Sequence, residues 1–226
     1  MNQIQSLIAQ WDIQCIIFDL DGTLVDTLDK HIKAFEMLFK QLKVDISYEA
    51  ISENMGRTPK DTLLSLVPEM TKDKTKLIEL ADLKETILTD LLEKVPLFDG
   101  AKNLLSYLYQ TKIPLCLASS TPLFNVEKML QTANIYHFFK IIITGEDITI
   151  GKPNPQVFLK AAAKAQIDPS NCLVIGDSPH DIDAARNAGM KIIAVQTGKH
   201  RLDKIKDLKV NLLITSLIEL LSKHST

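Results

Sequence analysis

From Pro96 onward one pattern repeats: a short run of aliphatic and β-branched residues, then a stretch with helical spacing, then another run. The runs predict strands at Pro114–Ala118, Lys140–Thr144, Cys172–Gly176, Lys191–Val195 and Leu212–Ile214. Helices are predicted over Ala101–Gln110, Leu123–Thr132, Pro155–Ala165 and Pro179–Ala188, with Asp99 as the N-cap of the first and Asn154-Pro155 and Ser178-Pro179 as cap-plus-first-turn pairs. Gly189 stands where a helix-ending glycine belongs. Strands separated by helices must lie parallel and be covered on both faces, so the fold class is α/β, a doubly wound, mostly parallel sheet. A further buried strand precedes them at Cys15–Phe18, and Ile4, Leu7, Ile8 and Trp11 predict a short helix before it.

Between residues 28 and 94 the pattern changes. No strand-like run occurs there, and the apolar residues recur at helical spacing: Phe35, Leu38, Phe39 and Leu42; Leu63, Leu64 and Val67; Leu80, Leu83, Ile87 and Leu91. Turn residues at 45–47, 54–59 and around Pro68 separate these segments. The expected organisation is an α/β core built from residues 1–27 and 95–226, with residues 28–94 as an inserted all-helical domain.

The first strand ends in acid. Asp19 and Asp21 stand two apart, so their side chains leave an extended chain on the same side, at the carboxyl end of a strand where open α/β sheets place ligands. Carboxylates that close repel unless a cation lies between them, which points to a divalent metal ion. Gly22 permits the tight turn that follows, and the Thr23 hydroxyl can brace it. Three later segments add complementary chemistry. Ser119-Ser120-Thr121 opens a helix with hydroxyls and free N–H groups suited to phosphate oxygens. Lys152 is a fixed positive charge on a loop stiffened by Pro153 and Pro155. Asp177 ends a buried strand, and Asp181 follows on the first turn of the next helix. The lysine segment is not a phosphate-binding loop of the Walker type, because Pro153 stands where that motif needs Ser or Thr.

Taken together and in order, Asp19-Leu20-Asp21-Gly22-Thr23, Ser119, Gly151-Lys152-Pro153 and Gly176-Asp177-Ser178-Pro179-His180-Asp181 resemble the four motifs of the haloacid dehalogenase superfamily. The helical insertion resembles that superfamily's C1-type cap, in the subgroup of phosphoglycolate phosphatases and β-phosphoglucomutases. The resemblance implies a Mg2+-dependent phosphatase of a small phosphorylated metabolite, such as phosphoglycolate or a sugar phosphate. Asp19 would be the nucleophile that forms an aspartyl-phosphate, and Asp21 the acid–base residue. Asp at position 21 points to phosphatases and phosphomutases, since dehalogenases, phosphonatases and P-type ATPases differ there. The metal would be held by Asp19, Asp21 through its backbone carbonyl, and Asp177, with Asp181 orienting a bound water or Lys152. Ser119, Ser120, Gly22 and Lys152 would bind the phosphoryl group. Arg57 and His31, with Lys84 beside them, match cap residues expected to read the rest of the substrate. The nearest rival is a phosphomutase, which shares every core motif. A receiver-type signalling module would be shorter and capless, and a catalytically silent relative would not need the full set.

A net charge of −2 gives no general attraction to nucleic acid or anionic membrane. The basic run Lys199–Lys209 is interrupted by Asp203 and Asp207 and reads as a solvated face; His180 reads as a first-turn helix residue and His224 as part of a frayed tail. Cys15, Cys116 and Cys172 lie in apolar runs without metal-type spacing and read as core thiols in a reducing compartment. The start MNQIQSLIAQW lacks the features of a signal peptide, so a cytoplasmic monomer or homodimer is expected. Phe18, Phe98 and Phe158 read as core.

Overall fold

A computed structural model describes residues 1–198 and 209–223; most of the basic run, residues 199–208, and His224 lie outside the described residues. The strands are β1 (Cys15–Phe18), β2 (Leu115–Ala118), β3 (Ile141–Ile143), β4 (Cys172–Gly176), β5 (Lys191–Val195) and β6 (Leu212–Ile214). They form one sheet in the order β3-β2-β1-β4-β5-β6, and every pairing is parallel. The order reverses at β1, the place where doubly wound sheets open a crevice.

Side chains alternate across the sheet as a two-residue period requires. Ile16 and Phe18 enter one hydrophobic core, and Cys15 and Ile17 enter the other. Each fully buried aliphatic or aromatic side chain of this kind contributes about 1.5–3 kcal/mol. The second face is covered by α8 (Gln156–Ala165) and α9 (Pro179–Asn187), through Phe158, Ala161 and Ile182. The first face carries α1 (Gln3–Gln10) and, after the insertion, α6 (Ala101–Gln110) and α7 (Leu123–Thr132). The three cysteines are free and buried, with Cys15 and Cys116 Sγ atoms 3.6 Å apart; that contact and burial push the Cys15 thiol up to about 12, so it is unreactive.

Between β1 and β2 the chain builds α2 (Leu28–Leu42), α3 (Tyr48–Glu53), α4 (Pro59–Leu66) and α5 (Lys74–Leu91). Phe35 and Phe39 stack at 5.9 Å on the buried face of α2. Leu64 and Leu83, expected inside, are exposed instead. The chain leaves and re-enters the core side by side: Asp26 N–H donates to Pro96 O at 2.8 Å and Phe98 N–H to Leu24 O at 3.0 Å. Among the described residues no helix is long and apolar enough to cross a membrane.

Two helix starts differ from expectation. Gly100, not Asp99, is the N-cap of α6, at φ +80°, and a Cβ there would lie 2.3 Å from Ile218 N. The close approach of the C-terminal turn fixes this start, and Asp99 instead accepts from Ser216 Oγ. At α8 the cap is Pro155, and the Asn154 carboxamide accepts from Gln156 N at 3.0 Å. Ser178 caps α9 as expected and forms a reciprocal capping box with Asp181.

Candidate active site

The register of the three central strands sets the site. Phe18 pairs with Leu117 on one side and Ile175 on the other, so Asp19, Ser119 and Asp177 emerge at one edge. Lys152 comes to the same place from the loop before α8. Its ammonium is wholly buried, 2.5 Å from Asp19 Oδ1, 2.7 Å from Asp181 Oδ1 and 3.2 Å from Ala118 O. The Asp181 contact is an ion-pair distance without hydrogen-bond alignment. Phe158, expected to be plain core, also lies under this lysine, with Nζ 5.2 Å from the ring centre.

Asp19, Asp177 and Asp181 are all buried, and each offers an oxygen within 4.8 Å of the others'. Three carboxylates facing one ammonium leave a net negative charge out of water. Burial, opposed by Lys152 and reinforced by Asp181, raises the Asp19 carboxyl to about 7. Burial and the neighbouring Asp181 and Asp19 push Asp177 well above the usual carboxylate range. Burial also disfavours ionised Asp181, but Lys152 and the Ser178 hydrogen bonds outweigh it and hold that group low. An all-oxygen cluster short of positive charge fits a hard divalent cation. These three carboxylates could hold one.

Asp21 faces away from this cluster. Its Oδ1 accepts from Thr27 Oγ1 and from His31 Nε2 at 3.0 Å, and its Oδ2 from Thr121 Oγ1 at 3.0 Å. Although burial opposes ionisation, His31 and the two threonines hold this carboxyl at about 2. Behind His31, Lys84 Nζ lies 3.0 Å from Nδ1. Gly22 takes φ +88°, and a Cβ there would come within 2.6 Å of Asp177 Oδ2.

The other expected site residues are distributed as follows. Ser119 Oγ accepts from Thr121 N at 3.1 Å and keeps its own proton to donate. Ser120 Oγ donates to Gly56 O at 2.8 Å, so its hydroxyl ties the sheet edge to the helical insertion. Arg57 donates through Nη1 to Asn54 Oδ1 at 2.9 Å, and its buried Nε has no hydrogen-bond partner. A cleft between sheet edge and insertion brings together Asp19, Asp21, Ser119, His31, Arg57 and Lys84. His180 is not among the residues lining it, and its Nε2 lies 3.4 Å from Glu53 O.

Thr27, Thr197 and Gly198 were not singled out from the sequence, and Thr121 and Thr23 make contacts other than those expected of them. Thr27 and Thr121 orient Asp21, and Thr23 does more than brace a turn: its hydroxyl donates to Asp177 Oδ1 at 2.8 Å. Thr197 Oγ1 donates to Gly22 O, and Gly198 packs so closely on Asp177 that a Cβ would overlap it. Thr23 and Thr27 are hydroxyls flanking an acidic motif and Thr121 belongs to the hydroxyl-rich turn, a readable signal. Thr197 and Gly198 carry none, since only the ordering of β4 beside β5 brings them there.

The described geometry has clear counterparts. Residues 16–195 match the family model of haloacid dehalogenase-like hydrolases. The validoxylamine A 7'-phosphate phosphatase of Streptomyces hygroscopicus subsp. limoneus is 29% identical over 181 residues, covering 80% of this chain and 84% of that one. The β-phosphoglucomutase of Bacillus subtilis is 28% identical, covering 83% and 85%. Among solved structures, a hydrolase from Pseudomonas syringae superposes with a TM-score of 0.85 at 25% identity, covering 92% of this chain and 96% of that one. With the match running from β1 through the whole insertion to β5, the chain belongs to the haloacid dehalogenase-like hydrolase family.

Proposed function

We propose that this protein is a phosphomonoester phosphatase acting on a small phosphorylated metabolite, with Asp19 as nucleophile. The observation that carries the reading is the division of labour between two aspartates on one strand end. Asp19 is held against Lys152 at 2.5 Å, and Asp21, two residues on, is turned to three separate hydrogen-bond donors.

Asp19 would attack phosphorus, and the bond to the leaving alcohol would break as the Asp19–phosphate bond forms. Two negative groups meet in that step, so charge must be offset beforehand. Lys152 offsets part of it, and Ser119 has a proton free for a phosphoryl oxygen. Asp19, Asp177 and Asp181 would hold Mg2+, the ion generally used by this family. When bound, Mg2+ supplies the remaining positive charge for the phosphoryl oxygens. Asp21 would give the departing alcohol a proton and then take one from the attacking water. An Asp21 carboxylate accepting from Thr27, His31 and Thr121 suits the second of these steps. Asp181 positions Lys152 while capping α9.

Helices α2–α5 would act as a cap that selects the substrate. The cleft beneath them has about 30 Å3 of room, enough for roughly one or two waters. A phosphomonoester needs more, so the cap must swing away from the sheet edge to admit it. Arg57, with an unused buried Nε–H, would bind a second anionic or hydroxyl group. Phosphoglycolate and sugar phosphates fit that description. Of the relatives named above, one is by name a phosphatase of validoxylamine A 7'-phosphate and another a β-phosphoglucomutase, which supports a small phosphorylated substrate. The free, buried thiols support a cytoplasmic location.

The link from Asp21 through His31 to Lys84 also suits a phosphomutase, the second reading. Phosphate release from a panel containing phosphoglycolate, hexose phosphates and nucleotides, with magnesium and with chelator, tests the proposal. Metal-dependent release from one ester, abolished in Asp19→Asn without loss of fold, is expected. Isomerisation of β-glucose 1-phosphate with a bisphosphate primer, and no release, would favour the mutase.

A further inference from the structure

Glu85 is a carboxylate that the proposed mechanism does not use, and it is 1% exposed. It lies on α5, and its partners join the cap to the core. Its Oε1 accepts from Lys84 Nζ at 2.7 Å, and its Oε2 from Asn125 Nδ2 at 2.7 Å. Asn125, also fully buried, is on core helix α7; the same Nδ2 donates to Glu85 O at 3.0 Å, and Thr89 Oγ1 donates to its Oδ1 at 2.7 Å.

The chain of contacts continues inward. Lys84 is an ammonium with only protons to give, so His31 Nδ1, 3.0 Å away, must accept. The ring proton then sits on Nε2 and is donated to Asp21 Oδ1 at 3.0 Å. Asp21 Oδ2 takes its hydrogen bond from Thr121, four residues before Asn125 on the segment that opens α7. A closed ring results: Asp21, His31, Lys84, Glu85, Asn125, and back through the start of α7 to Thr121 and Asp21. It crosses between cap and core twice. A buried ion pair adds little stability compared with well-packed apolar residues, so stability alone does not account for it.

We propose that Glu85 and Asn125 are positioning residues for Asp21. They fix Lys84 beneath His31 only when α5 is seated on α7, and so fix the donor that aims Asp21. The inference rests on the reading of Asp21 as the acid–base group.

The test exploits the leaving group. An alkyl alcohol needs a proton as it departs, whereas nitrophenolate leaves readily without one. The values of kcat/KM for glycerol 3-phosphate and p-nitrophenyl phosphate are compared in the magnesium-loaded full chain, for wild type, Asn125→Ala and Glu85→Gln, with circular dichroism confirming fold. Each variant is expected to lose at least about tenfold more on the alkyl ester than on the aryl ester, within the range of acid–base assistance. Equal losses on both esters would overturn the inference and leave the phosphatase reading standing. Wild-type protein inert towards both esters and towards every member of the phosphate-release panel would overturn both.

Discussion

Removal of divalent cations should make the stability of this protein fall as pH rises from about 4 to about 7. The cause is Asp19. In the fold its carboxyl is raised to about 7 by burial, against an ordinary value of 3.8, so the folded chain keeps a proton that the unfolded chain releases. Wherever the native state binds more protons, stability drops with rising pH. The favourable contribution is therefore complete below about pH 4 and is lost as pH passes the folded value. A rise of about three pH units corresponds to roughly 4 kcal/mol, or about 8–16 °C in Tm for a chain of this size. Asp177, also raised, acts in the same direction. Asp21 acts in the opposite direction but in a separate window: held at about 2, its contribution is complete above pH 4 and is lost only as pH falls through the folded value. Thermal denaturation followed by circular dichroism, in chelator and in excess magnesium at half-unit pH steps, reads the effect. Magnesium should flatten the slope, because an ion among the carboxylates takes the place of the retained proton. Stability that is level or rising between about pH 4 and 7 in chelator, or a slope unchanged by magnesium, would refute the charge-deficit account of the site.

Lys152→Met should destabilise the metal-free protein by about 3–5 kcal/mol, the cost of breaking a buried ion pair, and should abolish phosphate release; a Tm within about 2 °C of wild type would contradict this. Gly22→Ala combines an unfavourable φ of +88° with a Cβ aimed at Asp177 Oδ2. It should cost about 1–3 kcal/mol and weaken magnesium binding measured by titration calorimetry. Arg57→Ala should raise KM about tenfold or more for esters carrying a second anionic group, in line with the loss of a charged hydrogen bond, and leave p-nitrophenyl phosphate kinetics nearly unchanged.

Much of this architecture was legible in the residues themselves. The β-branched runs at 172–176, 191–195 and 212–214 became strands at those same positions, because a strand buried on both faces leaves an uninterrupted apolar signature. The acidic, hydroxyl and lysine motifs converge because each follows a strand or precedes a helix in a parallel sheet. Contacts between segments distant in sequence were not legible. Gly100 displaces Asp99 as a helix cap because Ile218 packs against it, more than a hundred residues away. Leu83 follows the helical period of α5 but faces outward, since period alone does not say which side a helix presents. Glu85 and Asn125 are 40 residues apart and carry no local sign of meeting. Thr121 looked like a phosphate-binding hydroxyl by its neighbours, yet its side chain turns to Asp21.

The central claim is that Asp19 becomes phosphorylated during turnover. Rapid acid quench of the magnesium-loaded enzyme mixed with its best ester from the phosphate-release panel, followed by proteolysis and mass spectrometry, tests it directly. A transient phosphoryl group on the peptide carrying Asp19, absent in Asp19→Asn, is the predicted result. Phosphate released at full rate with no label on Asp19 at any quench time would contradict the account.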